Sequence, residues 1–158
     1  MTFKAFAEIY HAACTLLPSG MESQEAAAML LAIALQESRL KHRKQIGGPA
    51  RGFWQFELGG GIRGVLHHEA SKPHIHAVLD ALAYDHVPET SYVAIEHNDV
   101  LACAYARLLL WTDRAPLPAL DASPEIAWQY YLRCWRPGRP HRASWDKFHS
   151  QSIDKVIV

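Results

Sequence analysis

The chain has 158 residues, with 16 Lys and Arg balancing 16 Asp and Glu, ten His, and 49% hydrophobic residues. That length and apolar share suit one globular domain able to bury its own core, and they exclude the disordered class, which combines low hydrophobicity with high net charge. A formal net charge of zero also argues against a dedicated nucleic-acid binder, which carries a strong basic excess.

Helical periodicity begins at once. Phe3, Phe6, Tyr10, Ala13 and Leu17 fall at three- and four-residue spacing, which predicts a helix over Thr2 to Leu17, capped by Thr2 and stopped by Pro18-Ser19-Gly20. A second helix opens at Ser23, ahead of the strong helix formers Ala26 to Leu31, and continues to about Leu40. Its apolar stripe runs through Ala26, Met29, Leu30 and Ile33, and the next position in that series is Glu37. A carboxylate therefore stands where a core residue is expected. Desolvation and the negative end of the helix dipole would both raise its pKa, and a carboxylic acid that keeps its proton near neutral pH can protonate the leaving oxygen of a glycosidic bond. The plain alternative is a helix-end Glu that turns to solvent or pairs with Arg39 or Arg43.

From Lys41 to Gly64 the texture changes, because seven of the nine glycines lie there. A Gly-rich loop region is expected, with the aromatic island Phe53-Trp54-Gln55-Phe56 inside it. The run Lys41-His42-Arg43-Lys44 reads as a solvated helix end. Helical signals return after Gly64: Ser71 with Pro73 opens a helix through Ile75, Val78, Leu79 and Leu82, and Pro88 marks a break. Thr90 to Glu96 fits either a short strand or a helical turn. Asn98 or Asp99 caps a long apolar helix, Val100 to Trp111; Ser123-Pro124-Glu125 opens another through Ile126, Trp128, Tyr131 and Trp135; Ser144 to Val158 forms a last amphipathic segment. With no internal repeat, the expectation is a mostly α architecture and a single domain over residues 1–158.

No apolar stretch reaches the roughly 18 to 20 residues of a membrane span, and the N-terminus lacks the pattern of a secretory signal, so cytoplasmic synthesis and assisted export are expected. Cys14, Cys103 and Cys134 are too few and scattered for a disulfide framework and read as small buried apolar residues, with Cys134 the one worth weighing as a nucleophile. The histidines, including His67-His68 before Glu69 and the pair His74 and His76, lack the spacing of a recognisable metal motif; no metal or other cofactor is expected.

Glu37-Ser38, followed fifteen residues on by Gly52-Phe53-Trp54-Gln55-Phe56 and later by Tyr130-Tyr131, resembles the lytic transglycosylase and goose-type lysozyme group of the lysozyme-like superfamily. In that group an E-S pair ends a core helix, a G-L-M-Q-like segment follows a Gly-rich loop, and an A-Y-N-like segment lies further on. The third motif departs here, since Leu132-Arg133 follows the tyrosines and no asparagine is present. The resemblance spans about Ala26 to Trp135. It implies a lysozyme-like, transglycosylase-type helical domain acting on peptidoglycan glycan strands, with Glu37 as general acid and then base. Ser38 and Gln55 are then substrate-binding, and either Tyr130 or Tyr131 faces Glu37. It further implies a cell-wall enzyme carried by a phage, either as a tail-borne protein with other virion proteins as partners or as a lysis protein.

Other assignments rest on position. Glu57, two residues past Gln55, is the candidate second carboxylate of a hydrolysing muramidase; in the transglycosylase pattern one carboxyl suffices, because the sugar's own 6-hydroxyl attacks. Asp85, Glu96 and Asp99 are weaker candidates. Trp54, beside the glycines, is expected to offer a flat face to a sugar, with Trp135 a further possibility and Trp111 and Trp128 expected in the core. Arg51 fits either a carboxylate of the substrate's peptide stem or a structural ion pair. A rival from another class is a non-catalytic lysozyme-fold subunit of a phage particle or secretion apparatus, which the missing asparagine favours.

Overall fold

A computed structural model describes residues 1–157. Among them the chain forms eight α-helices and one π-helix, and no strands. The elements are α1 (Phe3–Thr15), α2 (Gln24–Ser38), the π-helix (Leu58–Ile62) running into α3 (Arg63–His67), α4 (Lys72–Ala81), α5 (Pro88–Ala94), α6 (Asp99–Trp111), α7 (Pro124–Trp135) and α8 (Arg142–Val156). The mostly α expectation is met.

Helix starts follow the sequence closely where a short polar side chain can take an orphan backbone amide. The side chains of Thr2, Ser23, Asn98 and Ser123 accept from the amides of Ala5, Ala26, Leu101 and Ile126. Ser71 does not follow this rule. Its hydroxyl donates instead to the Val65 carbonyl at 2.7 Å and is fully buried, so α4 begins without a side-chain cap and relies on Pro73 in its first turn. Of the Thr90 to Glu96 segment, Thr90 to Ala94 is helix, since Pro88 starts α5, and Ile95 and Glu96 form the turn that follows it.

Helix α2 is the central element. The sequence suggests an apolar stripe, but every residue from Ala26 to Leu35 is buried, because α1, α6 and α8 all pack on it. Its small alanines let these neighbours approach closely. It ends at Arg39, whose left-handed backbone (φ 56°) turns the chain out of the core. The buried guanidinium of Arg107 on α6 donates to the Met21 carbonyl at 2.8 Å and ties α6 to the turn before α2.

The region from Lys41 to Gly64 is more ordered than a Gly-rich loop. Isolated bridges join Lys44 to Arg51 and Arg51 to Phe56, and Gly59, Gly60 and Gly61 lie within the π-helix. Two glycines there are required by geometry. Gly52 sits at φ +72° with its missing Cβ only 3.1 Å from the Ile95 carbonyl oxygen, and a Cβ at Gly61 would fall 2.2 Å from the buried Phe56 ring. Gly59 is different: a Cβ there meets nothing.

Those three environments predict separable effects on stability. Gly52→Ala should lower the unfolding free energy by about 1–3 kcal/mol, through left-handed strain and the close carbonyl. Gly59→Ala should be within about 0.5 kcal/mol of the parent. Urea denaturation of both variants checks the contrast, and equal losses would contradict it.

Candidate functional site

Glu37 lies in the last turn of α2, where the helix leaves the core, and lines an open groove of about 1130 Å³. The carboxyl is largely withdrawn from water. The Tyr131 hydroxyl on α7 donates to its Oε1 at 2.5 Å. Burial pushes the Glu37 pKa up from 4.5 to about 6, while the Tyr131 hydrogen bond, which favours the charged form, pulls against that rise. The phenol is itself pushed well above its ordinary range, first by burial and then by the neighbouring carboxyl, so it stays a donor at every working pH.

Tyr131 is held in place by aromatic packing. Its ring stacks on Trp145 of α8 at 5.1 Å and 16°, and meets Trp128 at 5.2 Å. The Trp145 indole is in turn anchored to the Pro124 carbonyl at 2.9 Å. The donor opposite Glu37 thus belongs to a rigid layer made by α7 and α8 rather than to a mobile loop.

Of the two adjacent tyrosines, only Tyr131 meets Glu37. Tyr130 points elsewhere on α7, is buried, and donates to the Leu110 carbonyl at 3.1 Å; its assignment to the groove is corrected. Helical geometry explains the split: Trp128, Tyr131 and Trp135 share one face of α7, at spacings of three and four residues, while Tyr130 shares another with Ala127 and Cys134.

Two further assignments fail for physical reasons. Trp54 is fully buried, its indole donating to the Leu30 carbonyl at 2.9 Å and its ring lying against Phe6, so it is a core residue with no face left for a ligand. Ser38 is also buried. Its hydroxyl donates to Ala34 one turn back at 3.0 Å and accepts from the Leu40 amide, which closes the end of α2 and leaves it no part in contacting substrate. Trp128 is in the core as expected, whereas Trp111 is 45% exposed.

Gln55 and Glu57 both line the groove with Glu37. Gln55 adopts a left-handed backbone (φ 52°) and donates its amide nitrogen to the Gly52 carbonyl at 2.8 Å, which orients the side chain and leaves Oε1 as an acceptor. Glu57 is exposed at the mouth of the π-helix and makes no capping hydrogen bond. Arg51, by contrast, is consumed by structure: it pairs with Glu96 at 3.0 Å and lies over the Tyr92 ring. Asp99 likewise pairs with Arg43, at 2.8 Å.

Sequence reasoning missed part of the groove wall. Asp113, past the end of α6, faces the groove with Arg133 of α7, which donates to it at 2.7 Å and holds its carboxyl below the usual range. Cys134 lies beside this pair, and burial pushes its thiol up to about 12, far from a reactive thiolate. The segment Arg136 to His141 forms another wall and is tied down by Gln36, which donates to the His141 carbonyl at 2.9 Å. Among the described residues, no three His, Cys, Asp or Glu side chains gather closely enough to hold a metal ion, and no helix is long and apolar enough to cross a membrane.

A scan of protein-family models finds no match to this chain, and searches of curated proteins and of solved structures find none either. Support for a function lies in the residues of the site.

The raised pKa of Glu37 has a stability consequence. The folded state binds this proton more tightly than the unfolded chain does, so the stabilisation is fully present below pH 4.5 and is lost as pH rises through about 6. The loss amounts to about 2 kcal/mol. Glu37→Gln should match the parent at pH 4 and exceed it in thermal stability at pH 8, without the intervening fall. A variant less stable than the parent at pH 8 would contradict the assigned burial.

Proposed function

We propose that this chain cleaves the glycan strand of peptidoglycan between N-acetylmuramic acid and N-acetylglucosamine, as a lytic transglycosylase in which Glu37 acts first as acid and then as base. The observation that carries this reading is a largely buried carboxyl, its pKa raised by burial, that accepts from a fixed tyrosine hydroxyl and faces an open groove of about 1130 Å³. The resemblance around Glu37-Ser38 and Gly52 to Gln55 supports the same substrate.

The chemistry follows from the two opposing influences on that carboxyl. Protonated Glu37 donates to the oxygen linking the two sugars, and the bond to the muramic acid anomeric carbon breaks. The resulting carboxylate is stabilised by Tyr131 just when charge appears on it. It then accepts the proton of the same sugar's 6-hydroxyl, whose oxygen closes on the anomeric carbon and leaves a 1,6-anhydro end. Burial alone would hold the proton too tightly for donation, and the tyrosine alone would leave Glu37 ionised, with no proton to give, before the strand arrives. A pKa near 6 serves both steps. Gln55 supplies an acceptor for a hydroxyl or acetamido group of the strand.

A second reading, hydrolysis with Glu57 as the base that activates water, is favoured by one observation: Glu57 lines the same groove. The two are separated by products. Digestion of purified cell wall followed by mass spectrometry should give anhydro ends, and reducing ends alone would shift the reaction to hydrolysis. Glu37→Gln should remove clearing in a zymogram, with a loss of about 10²–10⁴-fold in rate given the usual contribution of a general acid. Glu57→Gln should stay within a few-fold of the parent. Clearing by Glu37→Gln equal to the parent's would overturn the proposal.

Tyr131→Phe offers a check on the proton balance. Removing the donor destabilises the carboxylate, so the Glu37 pKa should rise and the alkaline limb of the rate profile should move to higher pH, while the maximal rate falls. An unmoved limb would remove Tyr131 from the mechanism.

A further inference from the structure

Trp135 occupies a position that neither the acid nor its tyrosine explains. It closes α7 just before the left-handed Arg136, lines the groove, and is only half-buried. Its indole N–H donates to the Trp54 carbonyl at 2.9 Å, and its ring leans on Phe56 at 5.8 Å and 50°. Phe56 is itself immobilised, buried against Tyr105 and against the bare backbone of Gly61. The only hydrogen-bonding group of the indole is therefore satisfied within the protein. What remains for the groove is apolar ring surface, held in a single orientation before any ligand arrives.

That arrangement suits a particular kind of ligand. A partly buried tryptophan at a groove wall leaves some apolar ring surface in contact with water, and covering it is favourable. Because the ring is already fixed, little side-chain entropy is lost on binding. A pyranose carries a flat patch of C–H groups on one face and hydroxyls around its edge, so it can cover the indole while its polar rim meets the acceptors and donors of the groove, such as Gln55 and Arg136. A flat, rigid platform without a free hydrogen-bonding group selects for that patterned ring over an extended peptide.

We propose that Trp135 is a sugar-stacking platform, seating the pyranose ring of an N-acetylated amino sugar in the groove that holds Glu37. The assignment rests on the glycan reading of that groove, yet it concerns binding and is measurable without turnover. Trp54, expected from sequence to play this part, is replaced in it by the tryptophan whose indole holds the Trp54 backbone carbonyl.

The test uses the full chain carrying Glu37→Gln, so that bound oligosaccharide is not consumed, with an N-acetylglucosamine tetramer as probe and calorimetry and intrinsic tryptophan fluorescence as readouts. Saturable binding with a change in tryptophan emission is expected. Adding Trp135→Leu, which keeps apolar bulk but removes the ring face, should weaken binding at least tenfold. Adding Trp135→Phe, which keeps a smaller ring and lacks the N–H, should recover most of that loss. Trp111→Ala, at an exposed tryptophan outside the groove, should change nothing. Circular dichroism melts identify any variant that fails to fold, and the phenylalanine variant then decides by its affinity relative to the parent. Unchanged affinity in a folded Trp135→Leu protein, or no binding of the tetramer by the Glu37→Gln chain, overturns the proposal. Clearing of cell wall that survives Glu37→Gln, together with tetramer binding that depends on Trp135, would remove the acid assignment and leave the platform standing.

Discussion

One hydrogen bond joins the two halves of the site: the Tyr131 hydroxyl on α7 donates to the Glu37 carboxyl on α2. Everything around it serves to place an ionisable group where water is scarce and to give it a single partner. A buried carboxyl without a donor would be costly to ionise, and one exposed to water would lose its proton well below neutral pH. The balance lies between these limits, and it depends on α2 reaching the edge of the core with its last turn intact. The buried Ser38 hydroxyl and the left-handed Arg39 secure that end, so the residue beside the acid contributes by shaping the helix terminus rather than by touching a ligand.

Rigid elements hold both sides of this contact. The aromatic layer of Trp128, Tyr131 and Trp145 fixes the donor through α7 and α8, while packing on every side fixes α2. The groove walls are built from shorter pieces: the Gln55 to Glu57 turn, the π-helix, and Arg136 to His141. π-Helical turns are uncommon and gather at functional sites, and this one presents Gly59 and Gly60 to the groove with neither a positive φ nor a crowded neighbour to demand glycine. Side chains there would occupy space that is now open.

Much of the fold was legible because helix boundaries are written in local chemistry. Thr2, Ser23, Asn98 and Ser123 cap the helices they precede, and Pro88 and Pro124 begin theirs. Glu37 was legible as well, as the one charged residue in the series of α2. Less accessible were features decided by tertiary packing. Trp54 stands among glycines, yet the Gly52 turn folds it inward onto Leu30, which no local pattern announces. Ser71 has the context of a cap and spends its hydroxyl on Val65. The choice between Tyr130 and Tyr131 was available in principle, since Tyr131 shares its helical face with two tryptophans. Asp113 and Arg133 lie 20 residues apart and meet only because α6 and α7 converge, so their place in the wall had no signal in sequence.

The most direct measurement is the pKa of Glu37 itself, read by carbon-detected NMR titration of the side-chain carboxyl in isotopically labelled protein. Burial opposed by the Tyr131 hydrogen bond predicts a midpoint of about 6. A midpoint at or below 4.5, the ordinary value for a glutamate, would mean that the carboxyl is solvated or firmly paired, and the account of Glu37 as a proton donor would be wrong.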